Sequence, residues 1–341
     1  MDDGAAAAAG PRGDAGLDVL VVGAGPAGLA VAIAAHEAGL LYEVLEKGVL
    51  VNSIYHFPRN MVFFTTAELL EIGGLPFVTP YEKPTQAEGL KYYRRVADAF
   101  SLRVAMDEEV TAISPLPRTE GAGFTVASRW RGETRTRRAR SVVVATGYYD
   151  HPNRLDVPGE ELPHVSHYYR EAHAYHRRNV VVVGGKNSAA IVALELYRAG
   201  AAVTLVHRGE RLGASVKYWI KPDIENRIQE GSIAARFRTR VVEITPEDVV
   251  VEDDEGRHRL PADAVFLLTG YHPDCALLVS AGVKVDPATL VPAHDRDTLE
   301  TNVPGLYLAG AIVSGRETGR IFIENGRFHG RAIVDSIRAR R

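Results

Sequence analysis

Cysteine is nearly absent: the 341 residues contain one, Cys275. That excludes an intrachain disulfide and any CxxC redox pair, and it fits a reducing compartment such as the cytoplasm. No apolar run reaches the length of a membrane span. Neither sign of charge dominates, since 40 Lys and Arg stand against 43 Asp and Glu. Electrostatics therefore give no case for nucleic acid or a membrane surface as partner. The histidines show no metal-ligand spacing, so no metal is expected. No Ser/His/Asp arrangement is legible. Residues 1–16 lack the basic region and leucine-rich core of a secretory signal. Their Ala/Gly/Asp-rich composition reads as a disordered tail. The whole chain is 46% hydrophobic and 24% charged, a globular composition at a length that allows two domains and two cores.

The chain is organised around residues 18–30. An apolar strand, Asp18 to Val22, runs into Gly23-Ala24-Gly25-Pro26-Ala27-Gly28 and then into an alanine-rich helical pattern. Gly23 allows the tight turn, Gly25 lets the backbone approach a pyrophosphate, and Gly28 lets helix and strand pack closely. The helix N-terminus offers free N–H groups and the positive end of its dipole. A second strand, Tyr42 to Leu45, ends at Glu46, where a carboxylate can accept from a ribose hydroxyl. A glycine turn alone is weak evidence; strand, helix and acid together indicate dinucleotide binding.

Ala67 to Ile72 reads as a short helix stopped by Gly73-Gly74, and Gln86 to Ser101 as a longer amphipathic one. A β-meander is expected next, from residues 102–104, 109–113, 124–129 and 134–139, with a turn at Trp130-Arg131-Gly132. Arginines at 131, 135, 137, 138 and 140 crowd its hairpin. They suit a phosphate site or, preferably, a solvated edge that carries charge against aggregation. Ser141 to Gly147 is an apolar strand ending in Ala145-Thr146-Gly147.

A second strand–turn–helix follows at residues 179–198, around Gly184-Gly185-Lys186-Asn187-Ser188-Ala189. Lys186 stands where the usual pattern has its second glycine. The next strand, Val203 to Val206, ends not in an acid but in His207-Arg208, with Arg211 close by. An acid there would repel a 2′-phosphate, whereas arginine pairs with one through a fork of donors, so this site reads as NADPH rather than NADH. Residues 219–233 suggest a helix plus turn, and 236–252 two antiparallel strands. A strand from Asp263 ends in Thr269-Gly270, a strand from Leu306 runs into Ala309-Gly310, and residues 321–338 read as one helix.

Two nucleotide sites, each followed by a strand ending in Thr-Gly, imply an α/β fold of two Rossmann-like domains. The second is inserted in the first. FAD is expected on residues 17–152 and 269–341, and NADPH on 153–268. The first site would be lined by Gly23, Gly25, Pro26, Ala27, Gly28, Glu46, Lys47, Thr146, Gly147, Gly310 and Ala311. The second would be lined by Gly184, Gly185, Lys186, Asn187, Ser188, Ala189, His207, Arg208 and Arg211. The start of the 321–328 segment would point a helix dipole at the flavin edge that gains charge on reduction.

The chain resembles the thioredoxin-reductase-like flavoproteins, and within them the bacillithiol-disulfide-reductase-like branch, over nearly its whole length after Leu17. The motifs that carry the resemblance are Phe63-Phe64-Thr65-Thr66, residues 184–189, residues 216–227, Thr269-Gly270-Tyr271-His272-Pro273-Asp274 and residues 321–330. The resemblance implies a homodimer that uses FAD and NADPH to reduce a low-molecular-weight thiol disulfide. It also implies a domain rotation with hinges near residues 151–153 and 269–271.

Three family features are altered. The CxxC pair of thioredoxin reductases is missing. The residue after the loop proline, a cysteine in the bacillithiol branch, is Ala27. The aspartate that many relatives hold for the flavin ribityl chain is Ala311. Cys275 reads as an ordinary small residue rather than a substitute. Three functions compete. One is a disulfide-reductase-like NADPH oxidoreductase. Another is an NADPH oxidase or diaphorase feeding oxygen, a quinone or a partner protein. The third is a non-catalytic flavin sensor. The missing thiol shifts weight from the first to the second.

Overall fold

The computed structural model describes residues 16–117, 119 and 121–340. The expected tail, Gly16 apart, lies outside them. The strands are β1 Leu17–Val22, β2 Tyr42–Leu45, β3 Val104–Ala105, β4 Glu108–Pro115, β5 Phe124–Trp130, β6 Glu133–Val144, β7 Val165–Ser166, β8 Asn179–Val183, β9 Ala202–Val206, β10 Ala234–Arg236, β11 Arg240–Ile244, β12 Asp248–Asp253, β13 Gly256–Pro261, β14 Ala264–Leu267 and β15 Leu306–Leu308. The α-helices are α1 Pro26–Glu37, α2 Asn52–His56, α3 Gln86–Ala99, α4 Asn187–Arg198, α5 Lys221–Gln229, α6 Ala276–Ser280, α7 Ile323–Gly326 and α8 His329–Ala339.

The first sheet runs β3-β2-β1-β6-β5-β4, with β15 added on β6. Strands β1, β2, β3, β15 and the second half of β6 are parallel, and Val21 lies between Val44 and Val143. The second sheet, β10-β9-β8-β14-β7, is wholly parallel, and β11-β12-β13 form a separate antiparallel sheet. Residues between β6 and β15 thus build a complete second parallel sheet before the chain returns to the first. This is an α/β architecture of nested, doubly wound units. Helix α1 is buried along Gly28–Ile33 because α8 covers its outer side. A Cβ on Gly330 of α8 would come within 2.4 Å of the Ala30 carbonyl oxygen.

Several elements differ from the sequence reading. Residues 102–105 contribute β3, which pairs with β2 in the parallel sheet and not with the meander. The two strands expected at 134–139 and 141–147 are one twelve-residue strand, β6. Its exposure alternates while it pairs antiparallel with β5, then it is continuously buried between β1 and β15. The 236–252 region holds the expected antiparallel pair, β11 and β12, and an additional strand, β10, parallel to β9, lies just before it at residues 234–236. The 321–338 helix is broken at Arg327 and Phe328, which leaves α7 only four residues long. Such a helix is too short to supply the dipole expected of it. The 67–72 segment is a 3-10 turn, Ala67–Leu70.

The arginine-rich hairpin is not simply a solvated edge. Arg137 is 17% exposed and bridges Glu43 of β2 to Glu108, whose carboxylate is fully buried. Arg135 lies 3.9 Å over the Trp130 ring and pairs with Glu108 at 3.4 Å. Burial pushes the Glu108 carboxyl up, but its bonds from Arg137 and Ser128 outweigh this and hold it below the ordinary range. The network fastens the meander to the parallel sheet.

Candidate functional site

Strands β1, β2, β6 and β15 all end at one edge of the first sheet, and the segments that follow them meet there. In open parallel sheets this carboxyl edge is where ligands bind. Gly23 has φ +103°, and a Cβ on it would lie 2.7 Å from the Ala145 oxygen. A Cβ on Gly28 would meet the Gly23 oxygen at 2.0 Å. Nothing lies within 4 Å of a Cβ on Gly25. Two glycines therefore close the turn and the third faces open space, as a pyrophosphate cradle requires. Gly25 caps α1 with no side-chain bond, Pro26 occupies its first turn, and no acid stands there. The first-turn N–H groups are left for an anion.

Glu46 is 5% exposed at the end of β2. Its Oε2 accepts from the Ala24 N–H at 2.8 Å and its Oε1 from the Gly48 N–H at 3.0 Å. Burial raises its pKa, and those two N–H bonds and Lys47 oppose the rise. Glu46 thus braces the glycine turn itself, a role its spacing alone did not suggest. Lys47 Nζ pairs with Asp150 Oδ2 at 2.7 Å across the ends of β2 and β6. Thr146 is exposed, and Gly147 turns the chain with φ +69°. Gly310, φ +75°, donates its N–H to His329 Nδ1 at 3.0 Å and packs against Ala27. Ala311 follows it in a 3-10 turn. The eleven residues expected at the first site therefore come from segments that share this edge.

The second sheet repeats the arrangement at the ends of β8, β9 and β14. Gly184 has φ +152°, and a Cβ there would meet the Leu268 oxygen at 2.6 Å. The His207 ring covers Gly185, so a Cβ on Gly185 would come within 2.3 Å of it. Burial, then the Arg208 charge, lowers the His207 pKa. Lys186 caps α4 in an extended conformation, exposed and unstrained, so the missing second glycine does not distort the turn. Ser188 is exposed and Ala189 buried. Arg208 and Arg211 are exposed beyond β9.

Asn187 has a role that spacing did not reveal. Its side chain donates to the Ser215 carbonyl at 3.0 Å and accepts the Lys217 N–H at 2.9 Å. Gly213 donates its N–H to the Gly185 oxygen at 2.8 Å. Residues 213–217 are thereby strapped to the second glycine turn.

The two crossings between the sheets are paired. Asn153 N–H bonds the Gly270 oxygen and His272 N–H bonds the His151 oxygen, each at 2.9 Å, around a Pro152–Tyr271 bridge. Tyr149 and Tyr168 pack on Tyr271, with ring centroids 4.7 and 5.8 Å away. Burial pushes the Tyr149 hydroxyl up to about 12. Aromatic residues flanking both Thr-Gly strand ends were the available sequence signal for this cluster.

Cys275 is buried at the start of α6, its Sγ 3.7 Å from the Leu290 oxygen. Burial, and then Asp274, raises its pKa, the opposite of what an activated thiolate needs. Among the described residues no group of three His, Cys, Asp or Glu could hold a metal, and no helix is long and apolar enough to cross a membrane.

Two parallel sheets, one nested in the other and each ending in a glycine turn under a helix N-terminus, define a two-nucleotide oxidoreductase. The chain belongs to the pyridine nucleotide-disulphide oxidoreductase family, whose model matches residues 20–310. It is 41% identical over 322 residues to the bacilliredoxin reductase Bdr of Bacillus subtilis (strain 168), covering 94% of this chain and 97% of that protein. Among solved structures it is similar to the bacillithiol disulfide reductase Bdr from Bacillus cereus, at 42% identity and a TM-score of 0.92, over 95% of this chain and 99% of that one. The Staphylococcus aureus bacillithiol disulfide reductase is similar at 37% identity and a TM-score of 0.90, over the same shares. The chain is thus an oxidoreductase of the thioredoxin-reductase-like fold, with FAD and a pyridine nucleotide as its cofactors.

Proposed function

We propose that this chain is an NADPH-dependent flavoprotein reductase whose electrons leave the flavin without passing through a protein thiol. The observation that carries it is the pair Ala27 and Cys275. The first stands at the first glycine turn with no sulfur, and the second is buried elsewhere, where burial and Asp274 raise the pKa of its thiol. Residues 17–152 and 269–341 would form the FAD domain and residues 153–268 the NADPH domain. FAD, when bound, would supply two-electron redox chemistry at this edge.

The chain's own groups bind and orient. The open face at Gly25 and the first-turn N–H groups of α1 receive a pyrophosphate. Glu46 has lone pairs left for a ribose hydroxyl after bracing Ala24 and Gly48. Gly147, Gly310 and Ala311 border the flavin end. The first turn of α4 takes the second pyrophosphate, and Arg208 and Arg211 are placed for a 2′-phosphate.

Similarity to the Bdr proteins supports a low-molecular-weight disulfide such as bacillithiol disulfide as acceptor. Ala27 favours a second reading, in which a quinone or oxygen is reduced faster. The test is anaerobic mixing of the holoprotein with one equivalent of NADPH, followed by a quinone. Bleaching of the flavin band and its return support an enzyme. Bound FAD that NADPH leaves oxidised would contradict it and point to a sensor.

A further inference from the structure

Phe63 and Phe64 face different cores. Phe63 is buried in the core of the first sheet, while Phe64 packs against the core of the second. The Phe64 ring lies edge to face with Trp219, centroids 6.2 Å apart. Lys83, from the same unit as Phe64, holds its ammonium 3.7 Å over the Trp219 ring. Trp219 of the second unit is therefore gripped by a ring and a cation from the first. It also stands just beyond the strap that Asn187 and Gly213 fasten to the second glycine turn. The contacts run without a gap from the α4 N-terminus through Asn187 and Lys217 to Trp219, and from there to Phe64 and Lys83.

The paired crossings at residues 151–153 and 269–272 join the two units by two strands, and such a ribbon can act as a hinge. Arg59 N–H also bonds the Arg170 oxygen at 3.0 Å near the crossings. The Trp219 contact is a further attachment, made by other residues beside the second glycine turn, and it restrains that hinge. We propose that Asn187 and Trp219 are positioning residues, which hold the coenzyme turn of the second unit in register with the flavin turn of the first. The proposal rests on the reading of the second turn as the NADPH site. Hydride transfer is steep in distance and alignment, so a shift of about 1 Å between the two turns costs as much as a hundredfold in rate. A clasp that sets this register acts on the reduction step and not on coenzyme affinity.

The chain has two tryptophans, so Trp130→Phe leaves Trp219 as the only one. In that holoprotein, Phe64→Ala and Asn187→Ala should each make Trp219 more accessible to acrylamide quenching. In stopped-flow reduction at saturating NADPH, Trp219→Ala should slow flavin bleaching about tenfold with the NADPH dissociation constant unchanged, and Trp219→Phe should restore most of the rate. Trp219 is partly exposed, so its truncation leaves both cores intact. Unchanged quenching in Phe64→Ala would overturn the clasp. An unchanged or faster limiting rate in Trp219→Ala would overturn the positioning role, the latter showing that the units must part to react. Failure of NADPH to bind the unaltered protein would instead fail the coenzyme assignment and the positioning role built on it. The quenching arm would still decide whether the contact exists.

Discussion

Gly310 adopts φ +75°, and a Cβ built on it would come within 2.7 Å of the Cβ of Ala27. The turn after β15 thus rests directly on the first turn of α1, held there by the Gly310 N–H bond to His329. Gly310→Ala adds a left-handed strain to this clash and should release FAD, read as loss of the flavin absorbance after gel filtration. Full retention of FAD would show that the contact is slack.

Ala27→Cys places a sulfur at the same turn, beside a helix N-terminus that favours the thiolate. The unaltered protein should turn over bacillithiol disulfide weakly and a quinone readily under anaerobic conditions. The cysteine variant should raise the disulfide rate. Fast disulfide turnover by the unaltered chain, with no gain in the variant, would mean that a loop thiol is not needed for this chemistry.

Arg208→Ala should weaken NADPH by on the order of tenfold and leave NADH nearly untouched, since a charge-assisted fork to the 2′-phosphate is lost. Dissociation constants from flavin-perturbation titrations check this. Equal losses for both coenzymes would move the 2′-phosphate away from Arg208.

Glu46→Gln replaces one of two accepting oxygens with an NH2 group. Either Ala24 or Gly48 then loses its partner in a buried turn, at a cost of about 1–3 kcal/mol. Thermal unfolding and FAD affinity should both fall. A variant as stable as the parent would show that the carboxylate only neutralises its own burial.

Arg137→Met takes from the buried Glu108 carboxylate its closest cation and leaves it Arg135 at 3.4 Å and the Ser128 hydroxyl, and should cost about 1.5–3 kcal/mol at neutral pH. The pH dependence gives the sign. In the parent the Glu108 pKa is depressed by folding. Its contribution is therefore full above the unfolded value of about 4.3 and is lost as pH falls through the folded value. In the variant that depression is smaller, because fewer partners oppose the effect of burial, so the gap between the two proteins narrows in acid. Denaturant unfolding at both pH values measures this.

The sequence made the first glycine turn legible because strand, glycines, helix and acid are contiguous or evenly spaced. The nested order was legible because each unit closes on an apolar strand ending in Thr-Gly. What escaped depends on contacts between distant segments. Arg137 looked like one of several edge charges until β2 and β4 brought Glu43 and Glu108 to it. Asn187 looked like a filler of the glycine turn until residues 213–217 folded over it. The break at Arg327 and Phe328 is invisible to periodicity, because both residues keep right-handed helical backbone angles, and the Arg327 side chain turns away to donate to the Glu68 and Glu71 carbonyls.

Passage of electrons without a protein thiol is tested most directly in a chain that has no thiol. Cys275→Ala removes the only sulfhydryl. Anaerobic NADPH oxidation by the FAD-loaded variant, with a quinone and with bacillithiol disulfide as separate acceptors, should match the unaltered protein for each. A rate that collapses with either acceptor, while FAD binding and flavin reduction by NADPH persist, would place Cys275 on the electron path and contradict the proposal.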